Sequence, residues 1–128
     1  MKIKKGKKGF TLIETLIVVA IIGILATLML VSYAHSLKKG RDARRVSDIE
    51  SVKLACNMYA DKTGGYPDDA EGFAGLDSQL EDYINIDAIN DPQDSAPPYT
   101  YEQVDGSNCE LTYYSEVEET SKTVECKD

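Results

Sequence analysis

The chain of 128 residues has no tryptophan, two phenylalanines, a single histidine, three cysteines and no proline before Pro67. One histidine cannot supply a histidine cluster for zinc, and the sequence contains no CxxC pair, no Walker-type phosphate loop and no G-x-S-x-G elbow. His35 directly follows a long apolar run, where an interfacial side chain is a simpler reading than a catalytic base. Basic residues are scarce beyond residue 45: residues 46–128 hold four lysines against twenty acids, a net −16 within a chain of net −8. Binding along a nucleic-acid backbone needs clustered Lys and Arg, so that role is excluded for this region. Carboxylate pairs are so common there that the nearness of two carries no catalytic meaning. The chain reads as a non-enzyme.

The bases are concentrated at the start. Residues 1–9 hold five lysines and no acid, and residues 36–45 hold five more bases and one acid. Between them, residues 10–34 contain one charged residue, Glu14, and residues 16–31 contain none. At about 1.5 Å per residue such a helix spans roughly 37 Å, longer than a hydrocarbon core of ~30 Å. This is a candidate membrane span. A cleaved secretory signal would have an apolar stretch of about 7–15 residues and a small-residue exit; here the run is longer and residues 28–34 make a poor exit. The basic counts on the two sides tie, so they do not set orientation. Two of the three cysteines lie in the C-terminal region, which favours placing that region in an oxidising exterior. A carboxylate within a membrane segment costs ~2.5–3.5 kcal/mol at mid-bilayer and less near the interface, so Glu14 needs either a partner or a path to the headgroups.

The string Lys7-Lys8-Gly9-Phe10-Thr11-Leu12-Ile13-Glu14, followed by the apolar residues 15–26, resembles the N-terminal signature of type IV prepilins and type II secretion pseudopilins. That resemblance implies a peptidase cut between Gly9 and Phe10 on the cytoplasmic side, N-methylation of Phe10, and pairing of Glu14 with the Phe10 amine of a neighbouring subunit. It implies as partners identical and related pilin subunits, the prepilin peptidase, an assembly ATPase and a membrane platform protein. Residues 41–45, Asp48-Ile49, Tyr59 and Gly65-Tyr66-Pro67 extend the likeness toward the major pseudopilin, with weaker matches at Tyr83-Ile84, Asp91-Pro92 and residues 98–101. Two departures stand out. No proline precedes Pro67, unlike many major pilins, and the Gly- and Asp-rich calcium loop usual in major pseudopilins is not recognisable. Asp87, Asp91 and Asp94 are the nearest substitute for a calcium site, but without EF-hand spacing or a glycine among them a solvated acidic loop is the better reading, and no cofactor is expected.

Beyond the apolar run the helix is expected to continue to about residue 62. Ile49, Val52, Cys56 and Tyr59 draw one apolar stripe, while Arg41, Arg44, Arg45, Asp48 and Lys53 fall largely elsewhere on the wheel. Gly40 is a candidate interruption, and Gly64-Gly65-Tyr66-Pro67 a stop. Residues 99–104, 109–115 and 122–126 are rich in Tyr, Thr and Val, and Asp105-Gly106-Ser107-Asn108 is a turn, which predicts a three-stranded antiparallel meander packed on the stripe. A Cys109–Cys126 bridge would close a loop worth ~3 kcal/mol. It lies directly across the strands if the turn centres on Val117 and Glu118, whereas the polar run 118–121 would put the turn later. Pairing of Cys56 with either of the others stays open, beside its reading as a buried inert thiol. The eight tyrosines are read as strand packing ahead of subunit contacts.

The expected fold class is thus α+β and pilin-like, a long N-terminal helix, membrane-spanning in its first half, on a small C-terminal antiparallel sheet. By residue, 1–9 is a cleaved leader, 10–34 the membrane and polymerisation helix, 35–63 its amphipathic continuation and 64–128 an acidic head. The expected function is a pseudopilin-like filament subunit serving type II secretion-type export. A surface pilin for adhesion, motility or DNA uptake is the alternative, and a single-pass anchored binding protein that never polymerises is the alternative of another class. The expected location is the inner or cytoplasmic membrane with the head outside the cytoplasm, then a periplasmic or extracellular filament.

Overall fold

A computed structural model describes residues 9–93 and 98–127, with the backbone alone at Val31. It divides into two units, Met1–Ser36 and Leu37–Asp128. Helix α1, Leu12–Thr63, is continuous through Gly40 and runs through both. Most of the leader, residues 1–8, lies outside the described residues.

In the first unit α1 buries none of its described side chains. The hydroxyls of Thr15 and Thr27 donate to the carbonyls of Leu12 and Ile24, both at 2.7 Å, and Ser36 donates to Ser32 at 2.9 Å. Each hydroxyl in this set therefore has a partner within its own helix, as a polar side chain surrounded by hydrocarbon requires.

The second unit is a helix-on-sheet layer. α1 stops where Gly64 takes a left-handed conformation (φ 90°), its N–H bonded to the Ala60 carbonyl at 2.8 Å. A short helix α2, Gly72–Leu80, and a 3-10 turn, Ile86–Ala88, follow. Strands β1 (Thr100–Asp105), β2 (Asn108–Ser115) and β3 (Thr120–Glu125) form an antiparallel sheet in the order β1-β2-β3. Tyr101 faces Leu111, Leu111 faces Val124, and Ser115 faces Thr120, with an irregularity between Gln103 and Asp105. β2 alternates strictly, turning Cys109, Leu111, Tyr113 and Ser115 inward. They meet Ile49, Val52 and Cys56 of α1, closed on a further side by Leu76 and Leu80 of α2 and by Ile86. Tyr99, Tyr101 and Tyr113 belong to this core, whereas Tyr33 is exposed.

Two features differ from the sequence expectation. Helix α2 contains two glycines and gave no sequence signal; Phe73, Leu76 and Leu80 recur at spacings of three and four, and their burial outweighs the poor propensity. Arg45, read as lying off the stripe, has none of its surface exposed. It sits four residues before Ile49, one turn along the same face.

Candidate assembly segment

α1 opens with Thr11 as its cap. The Glu14 N–H meets the Thr11 carbonyl at 3.1 Å and its hydroxyl at 3.4 Å, and the Thr15 N–H meets the same carbonyl at 3.3 Å. Thr11-Leu12-Ile13-Glu14 has the T-x-x-E spacing of a capping box, a signal the sequence reading passed over. Gly9 and Phe10 precede the helix without regular structure, and Phe10 is 75% exposed. Glu14 lies in the first helical turn, where the helix dipole favours an acid, and its carboxylate has no hydrogen-bond or ion-pair partner among the described residues. From Leu12 to Leu30 the large apolar side chains stand at about half exposure or more. The segment thus pairs an unsatisfied apolar surface with an unsatisfied carboxylate close to the position where processing would create an amine.

The second unit carries a buried ionic cluster. Arg45 donates from Nε and Nη2 to the two Asp91 oxygens, each at 2.7 Å, and from Nη1 to Asp42 at 2.8 Å and Glu116 at 2.6 Å. Arg41 makes a two-point contact with the same Glu116, its Nε–H at 2.7 Å. The Asp42 carboxylate also accepts the Glu116 N–H at 2.9 Å, the Val117 N–H at 3.0 Å and the Ser115 hydroxyl at 2.8 Å. Burial raises the Asp42 pKa, but these backbone and side-chain donors outweigh it and hold the carboxyl at about 2. The Arg41 hydrogen bond, working against burial and aided by Arg45, likewise holds Glu116 at about 2. The Asp91 hydrogen bonds, against burial and with help from Glu116 and Asp42, raise Arg45 further above its ordinary value.

Asp91 is therefore not the solvated acid expected from the sequence: both of its oxygens face Arg45, and one also accepts the Gln93 N–H at 2.8 Å. Asp87 begins the 3-10 turn, and Asp94 lies outside the described residues. Among the described residues no three His, Cys, Asp or Glu side chains are grouped to hold a metal ion.

A disulfide joins Cys109 to Cys126, with Cα atoms 5.2 Å apart. The Cys126 N–H donates to the Cys109 carbonyl at 2.8 Å, and the pairing Ser115↔Thr120 centres the β2–β3 turn on Val117 and Glu118, not later. Cys56 is free and fully buried, and burial pushes its thiol up to about 12.

Known proteins resemble the chain over part of its length. The family described as "Prokaryotic N-terminal methylation motif" matches residues 4–30, which include Gly9, Phe10 and Glu14. The chain is 34% identical over 73 residues to type II secretion system core protein G of Aeromonas hydrophila, covering 57% of this chain and 51% of that protein. It is 33% identical over 76 residues to core protein G of Escherichia coli K12, covering 59% and 52%. A fimbrial protein of Pseudomonas aeruginosa is 47% identical over 51 residues, 40% of this chain and 33% of that protein. The chain thus spans about half the length of the core protein G relatives it matches. No solved structure matches it.

Proposed function

We propose that this chain is a structural subunit of a type IV-like filament, of the pseudopilin type, assembled from the membrane for type II secretion-type protein export. The observation that carries the reading is the pairing of an exposed apolar helix with a Glu14 that has no partner among the described residues, inside a methylation motif, in a chain similar to type II secretion core protein G. A prepilin peptidase cuts between Gly9 and Phe10 and methylates Phe10. The cut removes all five N-terminal lysines and leaves a cationic amine at the head of an apolar helix. Glu14 of one subunit then meets the Phe10 amine of another. Two unit charges at ~4 Å and an effective dielectric near 20 attract by about 4 kcal/mol before desolvation, and the pair sets axial register because leaving either charge unpaired in an apolar bundle is costly. The chain acts as substrate and building block, with no catalysis of its own, and an assembly ATPase and platform protein drive its extraction from the membrane. The head stands outside the cytoplasm, where its disulfide is stable. The match to a fimbrial protein supports a surface pilus as the second reading.

The test is Glu14→Gln in a host carrying a prepilin peptidase. Membrane levels and the mature N-terminus should be unchanged, while incorporation into filaments falls by about tenfold or more. Unaffected incorporation would refute the register role. An intact mass that retains Met1, or that shows a cut after Ala34, would refute the processing and leave the anchored binding protein or the secretion signal.

A further inference from the structure

Within the unit Leu37–Asp128, the grip of α1 on the rest of the fold changes character along its length. From Ile49 onward it is apolar: Ile49, Val52, Ala55 and Cys56 are buried against the sheet. Before Ile49 it is made by charged side chains, Asp48 among them, which accepts the Tyr99 hydroxyl at 3.0 Å. Leu37 and Val46, the large apolar side chains of that stretch, are both more than two-fifths exposed, and the side chain that is buried there is Arg45. What α1 holds through Arg41, Asp42 and Arg45 is the turn after β2, by the Glu116 carboxylate and the Glu116 and Val117 N–H groups, and the segment at Asp91. Glu119, in the same turn, is the one non-glycine residue with positive φ among those described (54°), a conformation that persists where surrounding contacts fix it.

We infer that Arg41, Asp42, Arg45, Asp91 and Glu116 form an ionic latch that sets a hinge at Ile49: closed, it clamps residues 41–48 of α1 to the 116–119 turn; open, it frees that stretch of helix to swing from the sheet while the core below Ile49 stays packed. The physical ground is the contrast between the two grips. Apolar burial is non-directional and survives small displacements, whereas charge-assisted hydrogen bonds are directional, and here they converge on two groups, the Arg45 guanidinium and the Asp42 carboxylate that accepts the Glu116 and Val117 N–H groups, so that removing both releases most of the set together. The disulfide adds to the contrast, because it ties β2 to β3 below the turn and keeps the sheet intact when the latch opens. The inference rests on the geometry of this unit and does not depend on filament assembly.

The full chain in detergent micelles tests it, comparing wild type with the double variant Asp42→Ala/Arg45→Met, which removes both groups on which the latch converges. The amides of Glu116 and Val117 should exchange faster by about tenfold or more, with those of Leu111 and Tyr113 unchanged. Nitroxide labels at the exposed positions of Lys39, ten residues before the pivot, and Ser121 should show one narrow distance in the wild type and an added longer population in the variant. Asp42→Asn, which keeps the shape and removes the charge that the turn N–H groups and Arg45 donate to, gives the same two readings if the double variant does not fold. Unchanged turn amides, acceleration spread evenly over β2, or a single unchanged distance would each overturn the latch.

Discussion

Reducing the Cys109–Cys126 bridge changes no other atoms, so melting the full chain with and without reductant isolates the cross-link. The sequence separation of 17 closes a loop whose chain-entropy value is ~3 kcal/mol. Both sulfurs belong to fully buried residues, so reductant acts when the unit opens, and the reduced protein must be prepared by unfolding and refolding. Unfolding entropy near 2.1 cal/mol/K per residue over the unit Leu37–Asp128 gives roughly 190 cal/mol/K, so ~3 kcal/mol corresponds to a Tm lower by about 16 °C. Near-ultraviolet circular dichroism is dominated by the buried Tyr99, Tyr101 and Tyr113 of this unit, since Tyr33 in the apolar half of α1 is exposed. A shift below about 5 °C would refute the entropic argument. Peptide mapping of the oxidised protein supplies the control. Cys56 should be alkylated only after unfolding, because it is buried and its thiol is pushed up to about 12. A Cys56-containing disulfide would refute the pairing itself.

Two further outcomes follow from the same packing. Asp42 and Glu116 are held at about 2, below their ordinary 3.8 and 4.5, so the stability they contribute is fully present above about pH 5 and is lost as pH falls toward 2; urea midpoints should be level from pH 7 to about 5 and then fall, and a midpoint that rises on acidification would contradict the cluster. Leu111→Ala removes a fully buried side chain from the middle of the central strand and should cost about 2–5 kcal/mol in urea unfolding, whereas Leu54→Ala, on the exposed face of α1, should stay within about 0.5 kcal/mol.

Much of this protein was legible in the linear sequence because its signals are local. An apolar run broken by one charge, a stripe at helical spacing, a Gly-Gly-x-Pro stop and three Tyr-, Thr- and Val-rich segments around an Asp-Gly turn each depend on neighbours a few residues apart. They lead to α1, the meander and the candidate processing segment. Arg45 resisted because an arginine on a wheel is taken for a solvated residue, and its burial depends on partners 46 and 71 residues away. Continuing the Ile49 stripe one turn backward would have reached it. Asp91 was misread for the complementary reason: an acid in an acid-rich loop has no local mark of a buried cation. Helix α2 is set by a core that forms only when sheet and α1 meet, and its glycines hide it from propensity.

The sequence by itself therefore determined the apolar helix, the placement of Glu14 and the strand pattern, since hydrophobic periodicity and charge exclusion act over single turns and adjacent residues. Only the tertiary structure decided that the disulfide takes Cys109 and Cys126 while Cys56 stays buried, and that three carboxylates, from Asp42, Asp91 and Glu116, close around the Arg45 guanidinium. Both outcomes follow from register and burial, which exist only once the sheet has packed on the helix.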